Sequence, residues 1–276
     1  MQLTSPKTIK EILEKYDATP SKTMGQNFLV NAPALAKIIA AADLDEKDTI
    51  LEIGPGIGTL TQELAKKAGK VIAIEKDKVM VEILQETLRD FNNIEIAPGD
   101  ALKFDPKSYK LEAKSYKLIA NLPYYITSPV IRKFLESPHQ PDFMVLMVQK
   151  EVAQRICAKP PEMSILAVSV QFYAAAKIVS YVSKGCFWPI PNVDSAIIKI
   201  IPRDSALISA NFRDTFFKVV KAGFLHPRKQ LINNLSVGLT KKREDIHAWL
   251  LSNNLESERR AETLTLQNWI DLTKTL

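Results

Sequence analysis

Leu51-Glu52-Ile53-Gly54-Pro55-Gly56-Ile57-Gly58 decides the fold. The apolar run 49–53 ends in three glycines at alternate positions. Residues 58–69 then carry Leu60, Leu64 and Ala68 at helical spacing. Strand, glycine turn and helix in that order open an α/β sheet. The glycines there admit backbone angles closed to other residues and let a ligand approach the main chain. The spacing is Gly-x-Gly-x-Gly, not the Gly-x-Gly-x-x-Gly of dinucleotide-binding turns, which disfavours a dehydrogenase. No Gly-x-x-x-x-Gly-Lys-Ser/Thr occurs, which disfavours a P-loop phosphotransferase. Alone, such a turn is equally compatible with a tight connection that binds nothing.

Outward from this stretch, short apolar runs alternate with helical patterns from about residue 48 to 201. Strands are predicted at 49–53, 70–74, 94–97, 116–120 and 143–148, with a helix at 78–90. Segments 178–182 and 196–201 read as a late strand pair at the sheet edge. The expected fold class is α/β: a Rossmann-like domain with a seven-stranded, mostly parallel sheet. Beyond Pro202 only helical patterns remain, at 211–222, 228–237, 244–251 and 266–272. The chain is therefore divided into 1–202 and a smaller all-α C-terminal domain, 203–276. The N-terminal MQLTSPKTIKEILEKYD reads as a short amphipathic helix without the apolar block of a secretory signal, and charges interrupt every candidate membrane segment. A cytoplasmic protein is expected.

With 46% hydrophobic and 25% charged residues in 276, the composition suits a soluble chain with a sizeable core and argues against disorder or a disulfide scaffold. Cys157 and Cys186 stand far apart and His139, His226 and His247 do not cluster with them, so no metal is expected and the thiols read as buried and free. The net charge of +6 favours a polyanionic partner, and residues 203–260 hold eleven Lys or Arg against six Asp or Glu. Arg213, Lys218, Lys221, Arg228, Lys229 and Lys241 to Arg243 carry that excess, either as an RNA-facing surface or as solvated helix faces. Trp188, Trp249 and Trp269 read as packing residues.

Three further polar residues stand in series with the glycine turn. Glu75 ends the second strand, 21 residues after Gly54, where a carboxylate can accept from both ribose hydroxyls of a nucleoside. Asp100 follows the third strand in Pro98-Gly99-Asp100 and can reach the exocyclic amine of a bound adenine. Asn121 ends the fourth. Four sites thus fall at the carboxyl ends of four consecutive strands, where open α/β sheets bind ligands.

Ile119-Ala120-Asn121-Leu122-Pro123-Tyr124-Tyr125 points to the reaction. An adenine N6 lone pair is delocalised into the ring and is a poor nucleophile. Acceptors on both of its N–H bonds favour a pyramidal nitrogen and localise that pair. The Asn121 side-chain carbonyl and the Leu122 backbone carbonyl are candidates. Pro123 can hold the turn rigid, and Tyr124 can stack on the base. The role of Tyr125 stays open. This Asn-Leu-Pro-Tyr element resembles the acceptor motif of S-adenosylmethionine-dependent amino methyltransferases, whose sulfonium methyl is already activated and needs alignment more than a strong base.

With four more segments the chain resembles the ribosomal RNA adenine dimethyltransferase family, over about residues 20 to 240. These are Gly25-Gln26-Asn27-Phe28-Leu29, Gln149-Lys150-Glu151-Val152-Ala153-Gln154-Arg155, Phe187-Trp188-Pro189-Ile190-Pro191-Asn192-Val193-Asp194-Ser195, and Phe224-Leu225-His226-Pro227-Arg228-Lys229-Gln230-Leu231. The resemblance implies that Asn27 and Leu29, with Gly54, Gly56, Glu75, Asp100 and Asn121, contact S-adenosylmethionine. It implies that Phe187 is a second aromatic wall around the target base. It further implies dimethylation of two adjacent adenosines near the 3′ end of small-subunit (16S) rRNA in a precursor 30S particle, by a monomer. Two alternatives remain: a macrolide-resistance type of enzyme acting on 23S rRNA, and a ribosome assembly factor without catalysis. The Phe-x-Pro-x-Pro-x-Val-x-Ser context favours small-subunit rRNA, and the intact glycine and carboxylate series argues against lost catalysis. The chain departs from the family at Met163-Ser164-Ile165-Leu166-Ala167, where many members have Tyr-Gly, and at His226-Pro227.

Overall fold

Strong strand formers precede the glycine turn, and the side chains of Met144–Val148 are buried on both alternating faces, as a strand covered on both sides of its sheet requires. A computed structural model of the chain describes residues 2–203 and 209–276. The chain opens with α1 (Pro6–Lys15), started by the Ser5 hydroxyl accepting from the Thr8 N–H and by Pro6 in the first turn. There follow β1 (Phe28–Leu29), α2 (Ala32–Ala42), β2 (Thr49–Ile53), α3 (Thr59–Ala65), β3 (Lys70–Glu75), α4 (Lys78–Thr87), β4 (Ile94–Pro98) and β5 (Lys117–Asn121). Then come α5 (Thr127–Glu136), β6 (Met144–Gln149), α6 (Lys150–Ile156), α7 (Ile165–Tyr173), β7 (Ala174–Val182), β8 (Phe187–Trp188) and β9 (Ser195–Pro202). The C-terminal helices are α8 (Ala210–Gly223), α9 (Leu231–Leu239), α10 (Arg243–Ser252) and α11 (Leu266–Lys274).

Among the described residues seven strands form one sheet in the order β4-β3-β2-β5-β6-β9-β7. Neighbours from β4 through β6 pair in parallel, and β9 runs antiparallel to β6. The mostly parallel Rossmann-like sheet is therefore present, with the late strands β9 and β7 side by side at one edge. After β2 the chain builds β3 and β4 to one side, then returns to lay β5 on the other. That reversal opens a crevice at the carboxyl ends of β2 and β5. A second, two-stranded sheet pairs β1 with β8, setting Leu29 opposite Phe187. Ile38, Leu64, Ile50, Val145 and Ile197 form the core on one face of the large sheet, while α1 packs Ile9, Ile12 and Leu13 with Phe28, Met80 and Ile83.

The chain divides into two compact units. One comprises Met1–Ala153 with Ala176–Pro202, the other Gln154–Ala175 with Arg203–Leu276. Residues 154–175 thus group with the C-terminal helices, an excursion that a linear division at residue 202 cuts across. The reason is aromatic: Phe172 of α7 stacks on Phe216 of α8, ring centres 4.1 Å apart. Within this second unit, a Cβ on Gly223 would lie 2.3 Å from the Trp269 ring, so only glycine lets α8 and α11 approach so closely. Buried Asn234 donates to the carbonyls of Gly223 and His226 and accepts from the His226 N–H, fixing the turn that carries Arg228 and Lys229.

Candidate active site

The glycine turn is strained in the way only glycine tolerates: Gly54, Gly56 and Gly58 have φ of 68°, 59° and 92°. A Cβ on Gly56 would meet the Phe28 ring at 3.2 Å. The turn and the strand ends beside it line one cleft. Asn27, Leu29, Gly54, Gly56, Glu75 and Asp100 lie on its walls, and so do Asn121, Leu122, Pro123, Tyr124 and Phe187. Residues separated by up to 160 positions thus share one hollow.

Glu75 is buried, and its carboxylate is gripped by the main chain. Oε1 accepts from the N–H groups of Lys76 (2.8 Å) and Asp77 (2.9 Å), and Oε2 accepts from Gly56 (3.1 Å). Burial pushes its pKa up, opposed by those three bonds. Three of about four acceptor positions are engaged, leaving room for one further donor. The grip on both ribose hydroxyls expected from the sequence therefore requires exchange of the Gly56 bond, the longest of the three.

Asp100 is also occupied. Its Oδ2 meets the Lys76 ammonium at 2.9 Å and its Oδ1 accepts from the Leu102 N–H at 2.9 Å. The Lys76 hydrogen bond holds this carboxyl below its ordinary range, so it stays an anion with acceptor capacity to spare.

Asn121 donates its amide Nδ2 to the Asn27 carbonyl at 3.3 Å, while its Oδ1 accepts from no described residue. This bond ties the end of β5 to the segment before β1 and leaves the carbonyl as the uncommitted half of the amide. Leu122 donates its N–H to Met147 of β6 at 3.2 Å. Pro123 packs under Gly54 and Gly25, within 3.5 Å of a Cβ placed on either. Tyr124 shares a 2.8 Å hydrogen bond with the buried hydroxyl of Ser195, which orients its ring; burial raises its pKa. Phe187 is only 2% exposed and packs with Leu29 and Ile197, so it reaches the cleft as part of a core wall rather than as a free flap.

Three residues line or support the cleft without having been assigned a role from the sequence. Glu52, on β2, is 1% exposed, and its Oε2 makes no hydrogen bond among the described residues. Burial pushes its pKa up to about 8, opposed by the neighbouring Thr61 hydroxyl and reinforced by the nearby Glu75. A charged residue type inside the apolar run Thr49–Ile53 was the available signal. Gln26 accepts from the Ser21 N–H at 2.7 Å and donates to Asp77 at 2.8 Å, pinning the N-terminal segment to the cap of α4. Lys76 is the third. Their partners lie at distances in sequence that no local pattern reveals.

A nucleoside-sized ligand fits what is present. The glycines keep the hollow open where a Cβ would fill it, Glu75 and Asp100 retain acceptor capacity, and the Glu52 oxygen is a buried polar atom still lacking a partner. Fold and cleft together define a Rossmann-like S-adenosylmethionine-dependent methyltransferase. The chain belongs to the ribosomal RNA adenine dimethylase family, whose profile matches residues 17–274. Ribosomal RNA small subunit methyltransferase A of Dehalococcoides mccartyi (strain CBDB1) is 44% identical over 260 residues, 94% of this chain and 89% of that protein. The protein of the same name from Clostridioides difficile (strain 630) is 42% identical over 274 residues, 97% and 94% of the two chains. Among solved structures, a dimethyladenosine transferase from Plasmodium falciparum superposes with a TM-score of 0.73 at 29% identity, covering 88% of this chain and 94% of its own. The 23S rRNA methyltransferase ErmE gives 0.74 at 27%, covering 91% and 99%. The fold alone does not separate these last two; the relatives above 40% identity do.

Proposed function

We propose that this methyltransferase dimethylates N6 of two adjacent adenosines near the 3′ end of small-subunit rRNA, in a precursor of the small ribosomal subunit, as a step of ribosome biogenesis. The observation that carries the reading is Asn121: its amide nitrogen is spent on Asn27, which turns its carbonyl into a fixed acceptor on the cleft wall beside the Leu122 main chain.

S-adenosylmethionine supplies a methyl group on a sulfonium centre that is already a good leaving group. Glu75, Asp100, Asn27 and Leu29, with the Gly54 and Gly56 backbone, would hold it. The chain's contribution is alignment and polarisation. The Asn121 side-chain carbonyl and the Leu122 carbonyl accept from the two N6 hydrogens and localise the nitrogen lone pair. Tyr124 and Phe187 hold the base plane, and Pro123 keeps the turn stiff. The methylated nitrogen carries a surplus, strongly acidic proton, which passes to water without a strong base. In the second round N6 has one hydrogen left, so one of the two carbonyls loses its donor and must face the first methyl. The target base has to be unpaired or flipped out to reach this cleft. We further propose, on the family resemblance alone, that the protein acts in the cytoplasm and as a monomer.

The ErmE likeness keeps one second reading alive, methylation of 23S rRNA. One experiment tests both: supply labelled S-adenosylmethionine with unmethylated small or large subunits and map the product. Dimethyladenosine at two neighbouring positions of small-subunit rRNA is expected, and label confined to large-subunit rRNA would refute the assignment.

A further inference from the structure

Pro123-Tyr124-Tyr125-Ile126 sets two tyrosines in one tight turn with opposite fates. Tyr124 points inward and is anchored on buried Ser195. Tyr125 remains 56% exposed at the rim of the same cleft. Its ring is backed by the main chain: a Cβ on Gly25 would lie 3.7 Å from its Cδ1. The same rim carries the apolar side chain of Leu102, also exposed, and the ammonium of Lys76, which is paired with Asp100 at 2.9 Å. A single exposed aromatic is unremarkable on a protein surface. One that is braced from behind, has Lys76 on the same rim and is set at the doorway of a nucleobase cleft has the make-up of a single-strand stacking platform.

We propose that Tyr125 stacks on the nucleotide next to the target adenine. The inference rests on the rRNA reading above and deepens it. Drawing one base out of a strand strips a stacking partner from its neighbour, and an exposed ring at the rim replaces that partner. Because the two target adenosines are adjacent and the strand crosses the cleft with one polarity, the base on Tyr125 is the other target in one of the two methylations and a flanking nucleotide in the other. Tyr125 is then a positioning residue: it holds the neighbouring base at the cleft entrance and never touches the reacting atoms.

The test compares the full-length wild type with Tyr125→Ala, Tyr125→Leu, Tyr125→Phe and Tyr125→Trp. It measures KM for unmethylated small subunits and, separately, the Kd for S-adenosylmethionine by calorimetry. Loss of a base-stacking ring should raise KM for subunits roughly tenfold in the Ala and Leu variants. The Phe and Trp variants should stay within about twofold of wild type, and cofactor Kd should be unchanged throughout. The Leu variant separates stacking from packing, since it can cover Gly25 without offering a flat face. Wild-type behaviour of Tyr125→Leu or Tyr125→Ala, failure of Phe and Trp to rescue, or a parallel shift in cofactor Kd would each overturn the platform. Failure of the wild type itself to label small subunits would instead bring down the substrate reading on which it stands.

Discussion

Asn121 gives one amide hydrogen to the chain and keeps its carbonyl for the substrate. In the proposed mechanism that division of one side chain matters more than its bulk. Asn121→Ala should cut turnover on the order of a hundredfold, the scale of losing one preorganised polar contact to a transition state, a much larger loss than the rise in cofactor Kd from freeing Asn27. Single-turnover rates alongside calorimetric titration measure both, and near-normal turnover would show the amine-polarising role to be mistaken. Glu52 acts differently. Its carboxyl titrates near 8 when folded, against 4.5 in an open chain. Between those values the folded state binds the extra proton, so this group destabilises the fold progressively as pH rises. Its effect is absent below about pH 4.5 and complete above about pH 8, on the order of 4–5 kcal/mol. Glu52→Gln is neutral at every pH. Its Tm advantage over wild type should therefore be larger at about pH 8 than at about pH 5. Equal gaps at both would exclude Glu52 as the titrating group. Glu75, raised for the same reason, keeps some pH dependence in the variant.

At the scale of elements, the cleft is built by strand tips and covered by the segment before β1. That segment hangs on few contacts. Gln26 bonds to Asp77, whose other oxygen caps α4 by accepting from the Val79 N–H, so the two pieces share one carboxylate. Asn121 reaches the same segment through Asn27. Gln26→Leu removes a hydrogen bond to a charged group, a contact of about 1.5–3 kcal/mol. Cofactor Kd should rise about tenfold with little change in Tm, and hydrogen exchange should quicken in residues 21–29 alone. A fall in Tm with unaltered cofactor Kd would mean that Gln26 serves the fold and not the cleft.

For the whole molecule, the surplus of positive charge predicts a binding signature rather than a structure. Lys218, Lys221, Arg228, Lys229, Lys241, Lys242 and Arg243 are all exposed in the second unit. If they neutralise as few as about two phosphates, affinity for small subunits should fall roughly tenfold between about 50 and 200 mM salt, by counterion release. Cofactor affinity should barely move. Filter binding across that range checks it, and a flat salt response would make these residues a solvated face. No helix among the described residues is long and apolar enough to cross a membrane.

Alternating apolar runs and the glycine turn were enough to name the sheet and its strand ends, and Asn121 to Tyr124 named the reaction through their resemblance to amino methyltransferases. Each is a local signal: glycine spacing, side-chain periodicity and a rigid proline act over a few residues. Phe187, Asn27 and Leu29 came through family resemblance, because nothing near them in the chain says that they face a cleft. What folding alone decided were pairings across long separations. Lys76 took up Asp100, Gln26 found Asp77, Ser195 captured the Tyr124 hydroxyl, and residues 154–175 grouped with the C-terminal helices through the aromatic face of α8. Burial likewise made Glu52 a weak acid and left Tyr125 at the surface. Such outcomes depend on which groups share a dry volume, and a linear pattern does not carry that information.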